Sequence, residues 1–194
     1  MPSPPTSAPT LPSVPTPNPT RSPSGNVTCE VYGDPHCIDF AENNFPLFQN
    51  ADKSPVLMYE MVAQKFRIDL TLESHLNGTQ WLTYATGANI INGNSNVSVG
   101  YNPDDKAFDC FPQHTGVLQA AKHSRSVIIP YTFQPVDGQP RQEITVTLTC
   151  SRDKNDEVEG MTIKIDKHID GNVGDVVMWE YDTNNGACAK HHQV

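Results

Sequence analysis

The sequence has no long apolar run. Nothing in its 194 residues approaches the roughly 18 consecutive apolar residues that span a bilayer. Positive charge is scarce too: 13 basic residues stand against 22 acidic ones, for a formal charge of −9. No basic cluster is longer than a pair, so nucleic acid and anionic membranes are poor partners. No cysteine pair has the CxxC spacing of a zinc or thioredoxin-like site. GxSxG, HExxH, a P-loop and GxGxxG are all missing, which leaves a conventional enzyme without a signature. No apolar core of a secretory leader follows Met1, which taken literally means a cytosolic start. No window of twelve residues carries a helical apolar stripe.

Proline is plentiful but uneven. Of the 17 prolines, nine fall in residues 1–25, together with five serines and four threonines. That composition cannot build a core and reads as a disordered, polyproline-like linker or stalk. Residues 26–194 have the composition of one folded domain. Its five cysteines, Cys29, Cys37, Cys110, Cys150 and Cys188, are spread across it as in a disulfide-stapled secreted domain. Asn26, Asn77 and Asn96 each open an N-x-Ser/Thr acceptor for N-glycosylation. Cysteines, acceptors and stalk together point to a secreted or cell-surface piece of a longer chain.

Strand patterns dominate the domain. Residues 56–63 and 66–73 read as a hairpin about Gln64-Lys65. In the second, Phe66, Ile68, Leu70 and Leu72 alternate with Arg67, Asp69, Thr71 and Glu73, which gives one buried and one wet face. Residues 126–133, 143–150, 160–166 and 175–182 repeat the pattern. Asn-, Gly- and Asp-rich turns lie between them. The fold class is therefore all-β, a two-sheet sandwich preceded by the Pro/Ser/Thr-rich segment.

Residues 29–40, "CEVYGDPHCIDF", carry the most specific signal. Cys29, Gly33, Asp34, Pro35, His36 and Phe40 resemble the opening of a von Willebrand factor type D domain, an extracellular β-sandwich. The resemblance is sharp over these twelve residues and general over the rest. It implies a structural or interaction module in adhesion or matrix assembly, with other extracellular proteins or glycans as partners. It also implies that the opening and closing cysteines, Cys29 and Cys188, are bridged. Cys110 with Cys150 is the second expected pair, leaving Cys37 free or intermolecular.

The departures from the family are informative. Its Phe-Asp-Gly is Phe40-Ala41-Glu42 here, so one aspartate is missing. Near the end Gly186 and Cys188 match, but Lys190, His191 and His192 stand where oxygen ligands belong. Calcium takes six to eight oxygens, so the family's calcium site is expected to be lost and no metal or cofactor is assigned. The acidic turns at Asp104-Asp105 and at Asp170, Asn172 and Asp175 read as plain turns. The two C-terminal histidines read as a solvated tail.

One chemical reading remains. The Asp34 carboxyl can attack its own main-chain carbonyl and expel the Pro35 nitrogen, forming a cyclic anhydride, with His36 placing the carboxyl or supplying a proton. Some similar domains cleave themselves at Gly-Asp-Pro-His and others keep the bond. The plainer reading of Gly33-Asp34-Pro35 is a tight turn. A lipid- or glycan-carrying sandwich is a third possibility with no residue behind it.

Overall fold

A computed structural model describes residues 25–100, 113–114, 126–152, 158–171 and 173–190. It is an all-β sandwich of two antiparallel sheets. The strands are β1 (Gly25–Tyr32), β2 (His36–Ile38), β3 (Asn44–Pro46), β4 (Val56–Met61), β5 (Phe66–Asn77) and β6 (Gln80–Asn92). They continue with β7 (Ser95–Gly100), β8 (Gln113–His114), β9 (Ser126–Phe133), β10 (Gln142–Arg152) and β11 (Val158–Ile169), and one helix follows, α1 (Val176–Thr183). The first sheet has the order β3-β2-β1-β11-β10-β9 and the second β4-β5-β6-β7-β8. The linker expected over residues 1–25 lies outside the described residues except for Gly25, where β1 begins.

Period-two alternation explains the core. Phe66, Ile68, Leu70 and Leu72 of β5 are buried, as are Ile144, Val146 and Leu148 of β10. They meet Met161, Ile163 and Ile165 of β11 and Val27, Cys29 and Val31 of β1 between the sheets. Phe66 packs edge-on against Tyr131 and Phe133 of β9, with ring centroids 5.0 and 5.2 Å apart. On the outward face of the first sheet Thr28 Oγ1 donates to Asp166 Oδ1 at 2.8 Å and Lys164 pairs with Asp166 at 2.9 Å, whereas Asp69, expected on the wet face of β5, is buried and paired with Arg67.

Two sequence expectations are corrected, and one unforeseen strand is added. The β4–β5 hairpin turns over residues 62–65, with Met61 opposite Phe66, rather than over Gln64-Lys65 alone. Residues 80–92 form the long strand β6, which turn-forming and small residues hid. Residues 175–182 are not a strand: residues 176–183 form α1. Asp175 caps this helix by accepting the Val177 and Met178 N–H groups at 3.0 and 3.2 Å. Its inward positions hold Val176, Val177 and the fully buried Glu180, while Met178 and Tyr181 are exposed. A carboxylate at the centre of the buried face erased the apolar stripe that marks a helix.

After α1 the chain covers the open edge of β4. Asn185 exchanges backbone hydrogen bonds with Glu60 at 2.9 and 3.0 Å, and Ala187 and Cys188 donate to Leu57 and Met58 at 3.1 and 2.9 Å. A capped edge cannot recruit another strand. Gly186 has φ +94°, and a Cβ there would lie 2.6 Å from Met58 O. Only glycine fits that approach.

Candidate functional site

The two ends of the domain meet. Cys29 of β1 is bonded to Cys188 of the terminal strap, with Cα atoms 5.5 Å apart. Phe40 N donates to Cys188 O at 3.0 Å, which ties the loop after β2 to the same strap. Cys37 is a free thiol and fully buried, 3.9 Å from the Cys29 sulfur. Burial, then the charge of Asp39, pushes it up to about 12. Of the two expectations for Cys37, free or intermolecular, the single chain has the free thiol, with its sulfur facing the core. The expected Cys110–Cys150 pair is not described, because Cys110 lies outside the described residues.

Gly33, Asp34 and Pro35 form the three-residue loop of the β1–β2 hairpin, with Tyr32 opposite His36. Gly33 takes φ +63°, a turn position that suits glycine. Asp34 is exposed, and its Oδ1 accepts the Thr83 N–H of β6 at 2.7 Å. Pro35 is buried and its carbonyl accepts the Leu47 N–H at 2.7 Å. The bond between them is trans. The exposed His36 ring stacks on Tyr32, 6.0 Å between centroids. Asp34 and Pro35 share the loop and His36 opens β2, but the carboxylate is engaged by the second sheet.

The turn "DGNVGD" is structural. Asp170 pairs with Arg141 at 2.9 Å, and Asp175 is the helix cap. Asp104, Asp105, Asn172, His191 and His192 lie outside the described residues. Lys190 Nζ donates to Asn185 Oδ1 at 3.1 Å. The buried Asp39 carboxylate accepts Ala41 N and Asn43 N, each at 2.9 Å, and so orders the loop after β2. Among the described residues no three His, Cys, Asp or Glu side chains converge as a metal site. No described helix is long and apolar enough to cross a membrane. Asn26 and Asn96 lie exposed on β1 and β7, and Asn77 ends β5 at the tip of its hairpin with β6.

The sequence reading missed the most unusual group of side chains. Lys167 on β11, Tyr59 on β4 and Glu180 on α1 are all buried and bonded to one another. Lys167 Nζ donates to Glu180 Oε1 and to Tyr59 Oη, and Tyr59 Oη donates to Glu180 Oε2 at 2.8 Å. Asn184, also buried, donates from Nδ2 to the same Oε2 at 2.9 Å. The ammonium lies 5.1 Å from the Tyr59 ring centre and 5.2 Å from that of Trp179. A signal was available. Met161, Ile163 and Ile165 set the inward parity of β11, and the same parity two residues on places Lys167 in the core.

No protein-family model matches the chain, and no curated protein matches it in sequence.

Proposed function

We propose that this chain is an extracellular structural and interaction domain of the von Willebrand factor type D kind, working in adhesion or matrix assembly. The observation that carries the reading is the Cys29–Cys188 bridge, which joins the opening strand to the terminal strap and is the pairing that kind of domain uses. A disulfide of this span belongs to an oxidising compartment. Glycans on Asn26, Asn77 and Asn96 fit the same route. Its partners are other extracellular proteins or glycans. Phe48, Leu76 and Trp81, all large and exposed, are apolar contacts for such partners. The test has two parts. Chain made through a secretory host should carry the oxidised Cys29–Cys188 pair and glycans on those asparagines. Beads coated with it should cluster or be retained on matrix preparations. Secreted but non-adherent protein would discard the interaction reading.

A second reading, self-processing at Asp34–Pro35, has one observation in its favour. The bond lies on a short hairpin loop whose Asp34 is exposed, as is His36 at the start of β2. For cleavage the Asp34 carboxyl must leave the Thr83 N–H and close on its own carbonyl. Incubation at mildly acidic pH, followed by a reducing gel, decides it.

A further inference from the structure

The buried cluster at the base of α1 is more than an ion pair. Taking an ammonium and a carboxylate out of water is costly, and their mutual attraction often fails to offset it. Here the cost is borne in the centre of the sandwich: the Lys167 and Glu180 side chains are both 0% exposed. The Glu180 carboxylate does not serve Lys167 alone. One oxygen takes the Lys167 amine and the other takes the side-chain amide of Asn184. An amine, a carboxyl and a carboxamide therefore share one dry pocket, walled by Tyr59, Met61 and Trp179.

Those are the parts of an acyl transfer: a nucleophile, a proton carrier touching both nucleophile and leaving group, and an electrophilic carbonyl. We propose that Lys167 and Asn184 form an intramolecular isopeptide bond, with Glu180 as the proton carrier. The reaction starts from the neutral pair, a Lys167 amine and a Glu180 carboxylic acid. Lys167 Nζ attacks Asn184 Cγ. Glu180 takes a proton from Nζ and gives one to Nδ2. The Cγ–Nδ2 bond breaks, one ammonia leaves, and Glu180 ends protonated against the new amide. No oxidant, cofactor or second substrate is consumed. The pocket exchanges a buried ion pair for two neutral groups, which removes the desolvation cost.

Two features of the pocket favour the step. Burial pushes the Lys167 ammonium down to about 8, so the free amine is accessible near neutral pH. The fold also holds the groups together, since β11 supplies Lys167 while α1 and its C-cap supply Glu180 and Asn184. The bond would lock the terminal helix to the middle of the first sheet, independently of the Cys29–Cys188 bridge. The proposal does not depend on the adhesion reading or on the Asp34–Pro35 bond.

The experiment is peptide mapping of the purified, folded full chain by mass spectrometry after reduction and trypsin. The expected result is a branched peptide joining Lys167 to Asn184, one ammonia lighter than its two parts, with no cut after Lys167. Lys167→Arg and Asn184→Ala should each abolish it, and Glu180→Gln should abolish or greatly slow it. Asn184→Asp should give the same branched peptide with loss of water instead of ammonia. Linear peptides with a free Lys167 and an intact Asn184 would overturn the proposal in the wild-type chain, whatever the variants do. An ammonia deficit confined to a linear Asn184 peptide would mean a succinimide and would overturn it too. A bridge from Lys167 to Glu180 would overturn the choice of Asn184.

Discussion

The sulfur of Cys37 lies 3.9 Å from that of Cys29, which is already bonded to Cys188. A thiolate so placed could displace Cys188 and release the terminal strap. Burial holds the thiol protonated instead, up to about 12. Cys37 should therefore resist iodoacetamide in the native protein at pH 8 and react once denaturant opens the core. Tracking the Cys37 peptide by mass spectrometry checks this. Rapid native labelling would mean that the β2 face opens on its own.

Asp34 bonds across to Thr83 of the other sheet, so the hairpin loop is also a clamp between sheets. If the Asp34–Pro35 bond is self-cleaving, the folded chain should split over days at mildly acidic pH. The fragments stay joined through Cys29–Cys188, so the cut shows only on a reducing gel. Asp34→Asn should abolish cleavage and His36→Ala should slow it. A folded sample that stays whole, or an unfolded one that cleaves as fast, leaves Gly-Asp-Pro-His as a turn only.

Gly186→Ala should destabilise the domain by more than about 2 kcal/mol, from strain at positive φ and from the clash with Met58 O. A shifted urea midpoint with unchanged slope is the expected readout. A midpoint within error of wild type would show that the strap can lift from β4 at no cost.

The Asn184→Ala chain keeps the Lys167 amine free to titrate. In the folded state that amine loses its proton at about 8, against 10.5 for an ordinary lysine. Below the lower value both states are charged and stability does not change with pH through this group. Between the two values the unfolded chain binds the extra proton, so stability rises with pH, by on the order of 3 kcal/mol in total. Tyr59, held well above its ordinary value of 10.0 by burial and by Glu180, reverses the trend at higher pH. Urea melts at pH 7, 8, 9 and 10 should show the rise in this variant. The wild-type chain, with Lys167 converted to an amide, should lack it. A flat profile in the variant would mean that Lys167 is not desolvated as the pocket requires.

Much of the fold is legible from alternation alone. Phe66 to Leu72 and Ile144 to Leu148 mark strands because a pleated chain sends successive side chains to opposite faces. Alternation does not pair Cys29 with Cys188; only the resemblance carried by residues 29–40 implies that bridge. Other features have no local mark. β6 was hidden because small and polar residues count against a strand in propensity, while pairing with β5 and β7 along both edges holds them in one. α1 was hidden because its inward face carries Glu180, which is stable there only if Lys167, Tyr59 and Asn184 are already in place. Asn184 at the helix cap and Lys167 on β11 lie 4 and 13 residues from Glu180, and Tyr59 lies 121 residues away on β4. Sequence alone thus set which residues face inward, including a lysine that alternation places in the core. Only the tertiary structure decided that its charge would be met there, because a buried charge is tolerated through contacts that local sequence does not encode.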